Sequence, residues 1–217
     1  MKKYFLYAAM AVSVLSATVT LNSCRKGEED PAISLRSRKA RLVGEWTLTA
    51  GKNDQTQNGS VSTTVFDGTN QIVTSNGQSD TTGFTNTITF KGDGTYVNET
   101  VTTTKWNFWG MSSTTVATTT EDGTWDFNSG IGDEKAKTKV LIHPTKSVTV
   151  TVTTSSTSGT TTDTNTDTYT SNSFDYSMYL TKLSNKELMF TMRLDETTTG
   201  AGSSSSTSTS TRTYTAK

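Results

Sequence analysis

Few residues in this 217-residue chain have the types and spacing that catalysis requires. Its one histidine, His143, stands between the apolar run Val140-Leu141-Ile142 and Pro144. An imidazole acts as a base only when a nucleophile and an orienting partner reach it, and a lone His beside a strand end is otherwise a surface or turn residue. The acidic pairs Glu121-Asp122 and Asp133-Glu134 fall in turn-like stretches. Glycoside hydrolysis would need two carboxylates facing across a cleft, and spacing along the chain does not reveal that. Asp163-Thr164-Asn165-Thr166-Asp167 has the alternation of a calcium loop, but Thr168 stands where such a loop needs Gly and Phe174 where it needs Glu. It reads as a polar loop. There is no Gly-x-Ser-x-Gly elbow and no glycine-rich phosphate loop. The chain therefore reads as a non-enzyme with no cofactor and no metal site.

The segment best suited to binding is Trp106-Asn107-Phe108-Trp109-Gly110-Met111. Three aromatic rings and a methionine lie between polar, Thr-rich flanks, and the glycine permits a tight bend. Exposed, so much apolar area marks a site for a glycan, a lipid or a partner. Buried, the same rings are core folded over the end of a barrel, which the general burial of large aromatics favours. Trp106, Phe108 and Trp109, with Tyr96 on the preceding strand, are the candidates for ligand contact.

The single cysteine has a different chemistry. Met1-Lys2-Lys3 is a positive start, Tyr4 to Val19 is an apolar run, and Leu21-Asn22-Ser23-Cys24 follows at once. That order is a secretion signal, and the run is shorter than the roughly 20 residues of a membrane-spanning helix. With Leu three residues before it and Ser one before, Cys24 occupies the acceptor position of a bacterial lipoprotein signal; Asn22 is a slight departure. Residues 1–23 are read as the signal peptide, 24–32 as a lipidated tether and 33–217 as one domain. Lipid chains contribute about 0.8 kcal/mol per buried CH₂, so an acylated Cys24 would hold the chain to a membrane. With Cys24 lipidated, no thiol is left for nucleophilic catalysis or zinc. The acidic stretch Glu28-Glu29-Asp30 resembles the surface-export signal of Bacteroidota lipoproteins, and an incidental solvated tether is the alternative. The expected location is the outer membrane, with the leaflet open.

Removing Lys2 and Lys3 leaves 18 Lys+Arg against 20 Asp+Glu, and a net charge of −2 argues against nucleic acid as a partner. Arg36, Arg38, Lys39 and Arg41 cluster behind the anchor, and a solvated helix face explains them better than anionic lipid does. About a fifth of the chain is threonine, a β-branched residue suited to strands.

Asp30-Pro31 predicts a short helix to about Arg41, with Asp as N-cap. From Leu42 the period changes to two. Phe84, Ile88 and Phe90 share one face, Lys91-Gly92-Asp93-Gly94 is a turn, and Thr95-Tyr96-Val97 opens the return strand. Gly123–Phe127, Val140–Ile142, Val148–Val152, Leu188–Leu194 and Thr207–Lys217 follow as further strands. Residues 51–83, 155–173 and 197–206 are polar and are expected to be long hairpin ends or loops. The class is all-β and antiparallel, a barrel or a sandwich.

Leu42-Val43-Gly44-Glu45-Trp46-Thr47-Leu48 resembles the Gly-x-Trp first strand of lipocalin-like domains in Bacteroidota-type lipoproteins. Three later pieces agree in order: Ile88–Tyr96, Gly123–Phe127 and Leu180–Phe190. The resemblance implies an up-and-down barrel of about eight strands with a short N-terminal helix, closed at one end and open to a ligand at the other. It also implies that Trp46 is structural and plugs the closed end, with a basic side chain from the last strand over its ring. Arg212 is the candidate for that side chain. The implied function is a lipid-anchored module for a small apolar ligand or glycan, although the Thr-rich strands from 147 to 170 suggest a filled or wet interior. A β-sandwich adhesin or surface-assembly component is the alternative.

Overall fold

The computed structural model describes residue 30 and residues 36–128, 137–169, 175–198 and 204–217. The signal peptide, Cys24, Ile33, Leu35, Asp133, Glu134 and Phe174 lie outside the described residues. Among the described residues one short helix, α1 (Arg38–Leu42), leads into eleven strands: β1 (Gly44–Gln57), β2 (Ser60–Phe66), β3 (Asn70–Ser75), β4 (Gln78–Phe90), β5 (Thr95–Phe108) and β6 (Met111–Phe127) come first. Then follow β7 (Lys139–Ser155), β8 (Gly159–Thr168), β9 (Tyr176–Leu183), β10 (Glu187–Thr198) and β11 (Ser204–Ala216). All belong to one antiparallel sheet.

The sheet closes on itself. At its base β1 pairs with β4 through Gly44–Thr47, and the ring continues β4-β5-β6-β7-β9-β10-β11 and back to β1. Eight strands thus make the base. Higher up, the β2–β3 hairpin is inserted between β1 and β4, so the wall widens, while β8 extends β7. The result is an up-and-down barrel, narrow below and wide above.

The base is sealed by side chains. Trp46, Leu48, Phe90, Tyr96, Trp125, Ile142, Met178, Leu188 and Phe190 are all buried there. Phe90 meets Trp125 edge-on at 5.4 Å, and Phe190 stacks on Tyr214 at 5.4 Å. Such ring pairs add to simple area burial. Leu42 of α1 is buried beneath, and its carbonyl accepts the indole N–H of Trp46 at 2.8 Å.

The helix differs from the sequence expectation. It starts at Arg38, and Ser37 caps it by accepting the Ala40 N–H at 3.1 Å. Asp30 has another task. Its buried carboxylate accepts the Leu183 N–H at 2.8 Å and faces Arg38 and Arg41, each at 3.4 Å. Those two arginines are therefore not a solvated face: both are buried, and Arg41 also donates to the Leu183 carbonyl.

The polar stretches expected as loops are largely strand. Residues 51–83 form the upper half of β1, all of β2 and β3 and the start of β4; most of 155–173 is the β7–β8 hairpin. The turns explain it. Asn58-Gly59 and Asn76-Gly77 each have positive φ at both residues, the two-residue turn whose twist matches a hairpin. Once the turn is set, β-branched Thr and Val hold an extended chain even where neither face is greasy.

Candidate functional site

Along β6, Phe127, Trp125, Gly123, Glu121, Thr119, Ala117, Thr115, Ser113 and Met111 alternate onto the inner side of the wall. Their partners on β5 are, for the last seven, Tyr96, Asn98, Thr100, Thr102, Thr104, Trp106 and Phe108. The interior therefore changes character with height. The base is aromatic, a polar layer lies above it, and the upper wall is threonine.

In the polar layer, Glu121 accepts the Tyr96 hydroxyl at 2.7 Å and the Tyr176 hydroxyl at 3.2 Å. Across the barrel the Tyr214 hydroxyl donates to Asn86 Oδ1 at 2.7 Å, and the Asn86 amide donates to Asn98 Oδ1 and Thr100 Oγ1. Burial pushes all three phenols far above the ordinary tyrosine range, so each stays a neutral donor. Higher still, Thr119 meets Thr149 at 2.9 Å and Thr115 meets Thr153 at 3.1 Å. Hydroxyls line this part of the wall.

At the rim stands the aromatic hairpin. Trp106, Phe108, Trp109 and Met111 are 50%, 55%, 85% and 42% exposed, so they are not core. The strands carry them away from the base: fourteen residues of β5 rise about 46 Å at 3.3 Å each. Trp106 and Phe108 have ring centroids 5.8 Å apart, as do Phe108 and Trp109, making one continuous patch. Trp109 and Gly110 form the turn with φ of 52° and 77°, where the sister hairpins carry Asn-Gly. A bulky side chain is uncommon in that left-handed region, and such residues collect at binding sites.

Neither a protein-family model nor a curated protein matches the chain.

Two sequence assignments need correction. Tyr96 is not beside the hairpin aromatics: it is 1% exposed, at the foot of β5, with its ring in the sealed base. Proximity in sequence misled because β5 is long and runs the full height of the wall. Arg212 does not cover Trp46. The residue opposite Trp46 is Ala216, while Arg212 lies opposite Gly51, beyond a bulge between Leu48 and Ala50. Its guanidinium carbon is 3.8 Å from the centre of the Phe66 ring instead. Trp46 itself is 1% exposed in the base.

Other candidates are placed as follows. Glu121 faces the interior and is not in a turn. His143 lies within β7, with Nδ1 2.6 Å from Asp175 Oδ2. Asp163–Asp167 is extended in β8, paired with β7, and does not curl as a calcium loop must. Among the described residues no cluster of three His, Cys, Asp or Glu could hold a metal. A groove of about 450 Å³ is lined by Ala50, Lys52, Val65, Met189 and Thr213, and Phe66 and Arg212 also border it.

Proposed function

We propose that this chain is a lipid-anchored, non-enzymatic binding module whose wide, membrane-distal mouth takes a saccharide. The observation that carries the reading is the exposed patch of Trp106, Phe108 and Trp109 at the tip of a strained hairpin. Flat rings on a rigid hairpin stack on the apolar faces of sugars, and the threonine wall beneath offers hydroxyl partners. A greasy ligand fits the upper wall less well, because apolar side chains are concentrated at the sealed base. The lipocalin-like assignment is part of this proposal, supported by the Gly-x-Trp strand and the order of the later motifs.

The anchor fixes the orientation. Five residues lie between Cys24 and Asp30, a reach of at most about 20 Å, and Asp30 is clasped at the base. A lipid on Cys24 thus keeps the base near the outer membrane and points the aromatic hairpin away from it. The hairpin then meets molecules beyond the anchoring bilayer, as a surface lipoprotein would require.

Two experiments test the halves separately. Cys24→Ala should abolish labelling by a fatty-acid analogue, and persistent labelling would remove the anchor. Trp109→Ala should weaken binding on an oligosaccharide array while leaving the melting temperature unchanged, since Trp109 is the most exposed ring. An array on which the parent protein and the variant give equal signals would end the saccharide reading.

A further inference from the structure

Among the described residues Arg38 and Arg41 are buried, and a third arginine, Arg212, is half-buried and differently placed. Arg38 and Arg41 share the carboxylate of Asp30. Arg212 points into the barrel from β11, and no carboxylate pairs with it among the described residues. Its Nε donates to Ser210 Oγ at 3.0 Å, and its plane rests on Phe66. Its two terminal nitrogens donate to no described protein atom, and they are not sealed from solvent.

The surroundings look built for this side chain. A Cβ on Gly51 would come within 2.9 Å of the Arg212 side chain and 3.4 Å of the Phe66 ring, so the glycine clears the space. Burial lowers the pKa of Arg212 from its ordinary value, and Tyr214 is the one neighbour that acts to raise it. A half-buried guanidinium with no carboxylate beside it keeps its terminal donors available to a ligand's anion. Arginine offers a planar fork of donors that matches carboxylate or sulfate oxygens in pairs. Above it the wall is polar, with Ser208 donating to Asn53 at 2.8 Å. The lumen carboxylate Glu121 is held by Tyr96 and Tyr176.

We infer that Arg212 is the seat for the oxyanion of an acidic saccharide, a hydroxyl-rich ligand carrying a carboxylate or sulfate that enters through the threonine-lined mouth. The saccharide class rests on the proposed function; the anion seat rests on Arg212 alone. Phe84, which packs on Phe66, pairs with Thr102, so Trp106 stands four residues or about 13 Å higher on the wall. A chain of a few sugars reaches from one to the other.

Calorimetric titration of the full-length protein in detergent micelles tests this with four probes: oligogalacturonate, its methyl-esterified neutral counterpart, a chondroitin sulfate oligosaccharide and inorganic sulfate. The expected result is that an acidic oligosaccharide binds about tenfold or more tightly than the neutral one. That preference should shrink at high salt, as for any incompletely buried charge pair. Arg212→Gln should erase it, and Arg212→Lys, which keeps the charge but loses the fork, should retain only part. Circular dichroism checks the fold of both variants; if neither folds, the parent protein's preference and its salt dependence decide. Equal binding of acidic and neutral probes overturns the anion seat, as does undiminished acidic binding by folded Arg212→Gln. Absence of binding by both acidic oligosaccharides overturns it too. Inorganic sulfate binding as tightly as the oligosaccharides overturns the ligand class. Charge-blind binding that Trp109→Ala abolishes would leave the aromatic mouth standing while the Arg212 seat fails. Arg212-dependent binding indifferent to Trp109 would do the reverse.

Discussion

Removing the carboxylate of Asp30 should loosen the whole base of the barrel. Its side chain is fully buried, and those of Arg38 and Arg41 are 2% exposed. Asp30→Ala leaves two guanidinium groups without their counter-charge and takes away the acceptor of the Leu183 N–H. Breaking a buried ion pair from one side costs about 3–5 kcal/mol, because the surviving charge is left uncompensated. The 3.4 Å separations are long for charge-assisted bonds, which places the expectation toward the lower end. For a domain of this size each kcal/mol lowers the melting temperature by about 2–4 °C, so the loss should be about 6–15 °C. The control is the exposed pair Lys52–Asp54, at 2.7 Å but with side chains 55% and 48% exposed. Asp54→Ala should change stability by less than about 1 kcal/mol despite the shorter distance, since solvent screens the pair. Thermal and urea unfolding followed by circular dichroism measures both. An Asp30→Ala protein melting with the Asp54→Ala control would refute the clasp.

Trp46→Ala should destabilise by about 3–5 kcal/mol, as the indole fills the base and its N–H is bonded to Leu42; urea unfolding gives the value. Gly123→Ala should also destabilise, by about 1–3 kcal/mol or more, because a Cβ there would meet the His143 carbonyl oxygen, Tyr96 at 2.7 Å and Pro144 at 2.9 Å. A melting temperature within a degree of the parent's would show that the wall can spread. Alkaline pH should unfold the barrel. Tyr96, Tyr176 and Tyr214 have folded pKa values raised by burial, so their contribution is complete below the unfolded value near 10 and is lost as pH rises above it. Each adds a slope of about −1.4 kcal/mol per pH unit there, and tyrosinate absorbance for the three should appear only with unfolding. Early titration of these phenols in the folded protein would contradict their burial.

The sequence by itself determined the all-β class and the buried face of its strands. Alternation in Trp46-Thr47-Leu48 and in Ile88-Thr89-Phe90 marks one buried face, and the Lys91–Gly94 turn fixes the β4–β5 register. These signals are local: period two and turn chemistry act within a few residues. The Asn-Gly pairs at 58–59 and 76–77 carry the same kind of signal for β2 and β3, which overall polarity concealed. What the sequence held open was decided by long-range register. Whether Trp106–Met111 is core or rim depends on how far β5 and β6 outrun the packed base, and no local pattern states that. Which residue lies opposite Arg212 depends on one bulge in β1, which makes it Gly51, beside Phe66, in place of Ala50. The burial of Asp30 against Arg38 and Arg41 likewise needs Leu183, 153 residues away, to supply the amide that completes the clasp. A single inserted residue rotates every side chain beyond it, so such pairings exist only once the barrel has closed.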